Sequence, residues 1–328
     1  MRTARGDGDS WAGGRELVIL GWHNVESTWR YPARAGRGLG SITRQWRMLR
    51  RVTNVVPLEA ALVALQEGRR LPARAVALTF DDGYRDNLAL AAPVLRRLGL
   101  PATFFLVPGF LDRQVDPWWE RVAFAFAKAT ATRREFEGIA LNLDSPWSRA
   151  ASLKEVEPAL KARDDVARER AVAELVEVLA PAGRFRCEHL FMDWDEARSL
   201  IRPGLSIGSH TMRHAILARE TEAYQVADLR ESRARLQETL GVPVTSLAYP
   251  NGQDGDYDST TMAAAAAAGY SSAMTTSGLI NRSTTEPFAI RRRMVGPTDN
   301  VVRVVMGLVA GVQRERGERT RVTAQDRS

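Results

Sequence analysis

Residues Ala75–Phe80 form an apolar run of strand length that stops at Asp81-Asp82-Gly83. Leu88, Ala91, Ala92, Leu95 and Leu98 then share one helical face between a capping candidate, Asp86, and a stop, Gly99. A second apolar run, 102–107, closes at Pro108-Gly109. Strand, helix, strand in that order is a βαβ unit, which requires parallel strands joined by a right-handed crossover. The fold class is therefore α/β.

The Asp-Asp-Gly at the mouth of that strand has two readings. Adjacent carboxylates repel, and each loses hydration unless a cation or hydrogen-bond donors compensate. They fit a metal ligand beside a general base. They also fit a plain strand-to-turn junction, with Asp-Gly as the turn and Asp82 as a cap.

Elsewhere the same arrangement recurs. Leu17–Trp22 is an apolar run ending in His23-Asn24. Two helical stretches between 45 and 66 flank Pro57. Asp193 and Glu196 have capping-box spacing and open a helix to about Arg202. Leu205–Ser209 is a strand followed by His210; 221–240 is a charged amphipathic helix; 244–248 is a strand ending in Tyr249-Pro250. A helix over 260–268, strands within 270–275 and 287–295, and a last helix over 299–312 complete the pattern. His23, Asp81, Asp82, His210 and Tyr249 thus all follow apolar strands, the end at which a barrel of alternating strands and helices carries its active site. Residues 112–190 interrupt the alternation and read as a helical insertion on the catalytic domain, 17–312. The first sixteen residues and the tail 313–328 are polar and read as flexible.

With 45% hydrophobic residues, the 328-residue chain has ample material for a core. The net charge of +7 comes with arginines spread along the chain and no compact basic stripe interleaved with aromatics. Nucleic acid is therefore not expected; a basic surface would meet an acidic glycan, a lipid phosphate or nothing in particular. Cys187 is the only cysteine, so no internal disulfide forms. The first sixteen residues contain no apolar run long enough for a signal peptide, and no run in the chain reaches the roughly 20 residues of a spanning helix. A cytoplasmic location is expected, with peripheral membrane contact left open.

Of the four histidines, His210 and His214 stand four residues apart, the separation that puts two imidazoles on one face of a helical turn. Together with Asp82 they make a two-histidine, one-carboxylate set suited to a divalent metal. The glutamate of the zinc-protease pattern is missing between them, which makes Asp81 the adjacent candidate base.

Thr79-Phe80-Asp81-Asp82-Gly83 and Ser209-His210-Thr211-Met212-Arg213-His214 together resemble the paired signature of polysaccharide deacetylases with the NodB-homology domain, carbohydrate esterase family 4. Ala102-Thr103-Phe104-Phe105 and Ala248-Tyr249-Pro250-Asn251-Gly252 add to the resemblance. It implies a distorted (β/α)7 barrel and a divalent metal, often zinc, used to hydrolyse N-acetyl groups of amino sugars. By position it implies Asp82, His210 and His214 as metal ligands and Asp81 as base. It also puts Tyr249 and Pro250 beside the oxyanion, with the Tyr249 N–H as donor.

Two departures matter. Ala248 replaces an arginine common in the family, and the resemblance assigns its role of orienting the base to Arg292, with Arg291 and Arg293 as alternatives. No histidine follows His214, so the late general acid of many members is missing. Gly21-Trp22-His23-Asn24-Val25 resembles the N-terminal element of the branch that includes biofilm poly-N-acetylglucosamine deacetylases, which makes His23 the replacement acid; a buried, hydrogen-bonded role for His23 is the alternative. An N-acetylhexosamine glycan, or its lipid- or nucleotide-linked precursor, is the implied substrate. A small non-sugar amide and a non-catalytic glycan-binding role are the rival functions.

Overall fold

The computed structural model describes residues 13–31 and 38–296. The expected helix over 299–312, the tail, and most of the polar N-terminus lie outside the described residues.

In chain order the elements are β1 (Leu17–Trp22), α1 (Leu39–Val52), β2 (Asn54–Val55), α2 (Leu58–Gln66), β3 (Ala75–Phe80), α3 (Ala92–Leu98) and β4 (Ala102–Leu106). The insertion follows: α4 (Pro108–Leu111), α5 (Trp118–Lys128), β5 (Arg133–Phe136), β6 (Ile139–Asn142), α6 (Pro146–Lys161) and α7 (Asp165–Leu179). Then come α8 (Trp194–Ser199), β7 (Leu205–Ser209), α9 (Glu222–Leu240), β8 (Ser246–Ala248), α10 (Ser259–Ala267), β9 (Ser272–Met274), β10 (Ile280–Asn281) and β11 (Arg293–Met294).

The main sheet runs β10-β1-β3-β4-β7-β8-β9. Every neighbour pair from β1 to β9 is parallel. Ile290 bridges Met274 of β9 in parallel, and β11 pairs in parallel with β1, so the stretch 290–294 joins the last strand to the first and curls the sheet into a barrel. All residues of β1, β3 and β4 are buried, which accounts for their near-continuous apolar sequence. α1 docks through Trp46, whose ring meets Trp22 and Phe80 edge-on with centroids 6.0 and 5.7 Å apart. Burying a side chain of this kind contributes roughly 1.5–3 kcal/mol.

Local rules hold at several boundaries. Asp193 and Glu196 form the capping box of α8, Thr221 caps α9, and Gly99 ends α3 in the left-handed conformation. Other boundaries depart from expectation. Asp86 caps no helix: its carboxylate accepts the N–H groups of Val25 and Glu26, each at 2.8 Å, and residues 87–91 form a π-helical turn ahead of α3. Pro93, with no N–H to donate, stands just past that turn. The insertion is not purely helical. β5 and β6 pair antiparallel around Glu137-Gly138, both at positive φ, the backbone of a type I′ hairpin. Among the described residues, no helix is long and apolar enough to cross a membrane.

Candidate active site

β3 lies between β1 and β4, and its C-terminal end delivers Asp81 and Asp82 into the barrel mouth. The Asp81 N–H donates to the Trp22 carbonyl at 2.9 Å, extending the ladder one residue beyond the strand. Asp82 then takes φ 71°, a left-handed conformation uncommon for aspartate. The two neighbouring carboxylates part there and enter different environments.

Asp81 is gripped by Arg292. Nη1 and Nη2 donate to Oδ1 and Oδ2 at 2.6 and 2.7 Å, and Nη1 also lies 3.2 Å from Thr79 Oγ1. Both partners are buried, with the guanidinium over the Phe105 ring at 5.4 Å. Of the three arginines at 291–293, Arg292 is the one facing inward; Arg291 is half-buried and Arg293 exposed.

Asp82 faces the histidines. Its Oδ1 is 3.3 Å from both His210 Nε2 and His214 Nε2. The segment joining them is not a helical turn, which corrects the expectation from their spacing: after β7 the chain loops, with Thr211 at φ 66° and His214 at φ 59°. These strained residues fold the second imidazole back onto the first, with ring centroids 4.8 Å apart. His210 Nδ1 lies 2.7 Å from the Ala248 carbonyl, which can only accept, so Nδ1 carries hydrogen and Nε2 is directed at Asp82. Asp82 Oδ1 is buried and makes no hydrogen bond of good geometry among the described residues.

This donor set fits a metal ion. One oxygen and two imidazole nitrogens lie within 4.8 Å of one another, all on buried residues. The 3.3 Å separations match the roughly 3.3 Å edge expected for tetrahedral ligands about 2.0–2.1 Å from zinc. Burial alone would raise the Asp82 carboxyl, but contact with His210 and His214 outweighs it and holds the group well below the usual carboxylate range. Burial opposes charge on His210, yet Asp82 and Asp81 raise it; burial pushes His214 down to about 4.

An open cleft of about 800 Å³ spreads from this cluster, lined in part by His23, Tyr31, Asp81, Asp82, His210 and His214. His23 enters from the end of β1. Its carbonyl accepts from Asn87 Nδ2 at 2.7 Å and its ring stacks against Tyr31 at 6.0 Å. Tyr249 reaches the cleft from the end of β8, whereas Pro250 is not among the residues lining it. The Tyr249 N–H, expected to face an oxyanion, donates instead to the Met274 carbonyl at 3.0 Å, because the β8–β9 ladder continues one residue past Ala248.

The insertion supplies side chains that strand-end reasoning did not reach. The Trp119 ring packs on His214 at 4.3 Å, and its Nε1 donates to Tyr84 Oη at 3.0 Å. That hydroxyl in turn donates to Glu120, which is fully buried, at 2.9 Å. On the far side, Asp165 accepts from Arg168 at 2.6 Å and from Arg213 Nε at 2.8 Å, tying α7 to the residue before His214. Asp228 of α9 accepts the Met212 N–H at 2.8 Å within the same loop. Apart from the Asp165–Arg168 pair within α7, none of these contacts has a local sequence signal, since each joins the insertion or α9 to residues distant in the chain or turns on how the ligand loop folds.

The polysaccharide deacetylase family matches residues 68–273. Over 94 residues the chain is 32% identical to YxkH of Bacillus subtilis (strain 168), a match covering 28% of this chain and 32% of that one. Over 102 residues it is 31% identical to the poly-beta-1,6-N-acetyl-D-glucosamine N-deacetylase of Escherichia coli (strain K12), covering 30% of this chain and 15% of that protein. The matches therefore span a third or less of these relatives. In fold, the chain is similar to the Streptococcus pyogenes deacetylase PplD, solved in complex with acetate, with a TM-score of 0.60 at 16% identity over 89% of this chain and 97% of that one. IcaB from Ammonifex degensii superposes with a TM-score of 0.56 at 22% identity, covering 87% and 93%. Since the family match covers more than half of the chain and takes in β3 with the two carboxylates that follow it and β7 with the two histidines that follow it, the chain belongs to the polysaccharide deacetylase family.

Proposed function

We propose that this protein is a metal-dependent N-deacetylase acting on an N-acetylhexosamine unit of a glycan, or of its lipid- or nucleotide-linked precursor. The observation that carries the reading is the division of labour between Asp81 and Asp82: one carboxylate paired with a buried arginine, the next at 3.3 Å from two imidazole nitrogens. The names of the curated relatives support the substrate class.

Asp82, His210 and His214 would hold the ion, with zinc the best match to two nitrogens and one oxygen. When bound, such an ion polarises an amide carbonyl and lowers the pKa of water toward about 7. Asp81 takes the proton of the attacking water, and Arg292 keeps both carboxylate oxygens in register for that transfer. His23, on the same cleft, delivers a proton to the departing amine. Tyr249 borders the sugar side, acting through its ring because its N–H is engaged by Met274.

The test is acetate release from chitin oligosaccharides and from lipid- or nucleotide-linked N-acetylhexosamines, using metal-stripped full-length chain with and without added zinc. Zinc-restored release that disappears in Asp81→Asn supports the assignment. Turnover of small non-sugar amides alone, or tight glycan binding without release in any divalent metal, would overturn it.

A further inference from the structure

The positive excess of this chain is less evenly spread than its arginine count implies. The stretch 27–58 contains seven arginines and no Lys, Asp or Glu, an excess equal to the +7 of the whole protein. Elsewhere, acidic and basic residues balance.

α1 shows where part of this charge goes. Its buried face is Ile42, Trp46 and Leu49, with Thr43 and Gln45 beside them. Arg44, Arg47, Arg50 and Arg51 are exposed on the other side. α3 packs beside α1 and adds exposed Arg96 and Arg97 in its last turn. Neither helix contains an acidic residue. None of these six side chains makes an ion pair or hydrogen bond among the described residues, whereas many arginines elsewhere are paired: Arg30 with Glu157, Arg121 with Glu169, Arg163 with Glu137, Arg235 with Asp112. Half-exposed Met48 sits one turn from both Arg44 and Arg51.

We propose that this face of α1 and α3 docks the protein onto an anionic lipid surface. A pair of packed helices is convex, so it can lie against a flat layer of headgroups; recognition of a nucleic acid or glycan strand uses a groove and stacking aromatics, and the one tryptophan of α1 is buried in the core. Guanidinium groups bind phosphate in a bidentate manner, and an apolar methionine among them suits the boundary between headgroup and acyl chain. The patch occupies the barrel flank and includes no residue of the cleft. The inference rests on charge and exposure, independently of the reaction assigned to the site.

The experiment is sedimentation of the full-length chain with phosphatidylcholine vesicles, with and without phosphatidylglycerol, over a salt series. Binding is expected only to the anionic vesicles and is expected to weaken with salt. Reversing three patch charges, R44E/R47E/R51E, should weaken it by at least about a hundredfold, since each basic residue near such a surface contributes roughly fivefold and the new carboxylates add repulsion. R133E/R184E/R186E, exposed arginines outside the patch with the same change in net charge, should change it by less than about threefold. The neutral variant R44Q/R47Q/R51Q provides the same test if the reversal fails to fold by circular dichroism. Equal losses in patch and control variants, or no loss in either, would overturn the proposal. So would binding of duplex DNA or heparin as tight as vesicle binding at the same ionic strength and lost in the same patch variant, which would make the face a general polyanion site.

Discussion

Arg292 and Asp81, 211 residues apart, form a two-pronged ion pair of 2.6 and 2.7 Å inside the barrel mouth, with both side chains buried. Removing one member leaves the other charge buried and unmatched. Arg292→Ala should therefore cost about 3–5 kcal/mol of stability and at least about a hundredfold in kcat. Arg292→Lys keeps a charge but not the fork, so it should fold and still lose at least about tenfold in kcat. Urea denaturation beside acetate-release kinetics checks both; wild-type kcat in Arg292→Lys would refute the orienting role.

Asp82 Oδ1 has no hydrogen bond of good geometry but stands 3.3 Å from each imidazole nitrogen. Asp82→Asn removes the negative charge at nearly constant volume. Zinc affinity, measured by chelator competition, should fall by at least about a hundredfold. The thermal transition of the metal-free protein should also fall at neutral pH, because the histidine contacts that hold the Asp82 carboxyl below its usual range favour the charged form in the folded state.

Asp165 connects the insertion to the ligand loop through Arg213, and also pairs with Arg168, which is 1% exposed. Asp165→Ala strands the Arg168 guanidinium and should cost about 3 kcal/mol or more. Arg213→Gln breaks only the half-exposed link and should cost less than about 1 kcal/mol. If this link positions His214, Arg213→Gln still lowers zinc affinity severalfold, a change that chelator competition detects and global stability does not.

Burial pushes Asp228 up to about 7, against the pull of the Met212 N–H. A carboxyl whose pKa rises on folding holds more protons in the native than in the unfolded state between about pH 4 and 7. Its contribution to stability is therefore lost as pH rises through that window. Asp228→Asn, which can still accept the Met212 N–H, should flatten the slope and gain about 1–3 kcal/mol at pH 8 relative to wild type, with little difference at pH 4. Urea melts across this range check the sign.

Much of the barrel was legible in the sequence because its signals are local. β1, β3 and β7 occupy their apolar runs residue for residue, and the caps at Asp193, Thr221 and Gly99 depend on side chains within a few residues of the helix ends. Asp86 shows where that reasoning stops: a good cap by type, it is taken by two backbone N–H groups some sixty residues earlier. The Tyr249 N–H shows the same limit, since only the neighbouring strand reveals that Met274 engages it. The hairpin at Glu137-Gly138 had a local signal, the alternation on either side of a glycine, within a segment read as helical.

Residue identity and order by themselves determined a parallel α/β chain with two carboxylates and two histidines following its strands, since apolar periodicity and turn chemistry act within one element. Tertiary structure alone decided how those groups meet. The curl of the sheet turns Arg292, rather than Arg291 or Arg293, toward Asp81; the left-handed residues of the loop bring His214 back to His210; the insertion sets Trp119 against His214. The first and last of these contacts join residues tens to hundreds of positions apart, and the geometry of all three exists only once the barrel has closed.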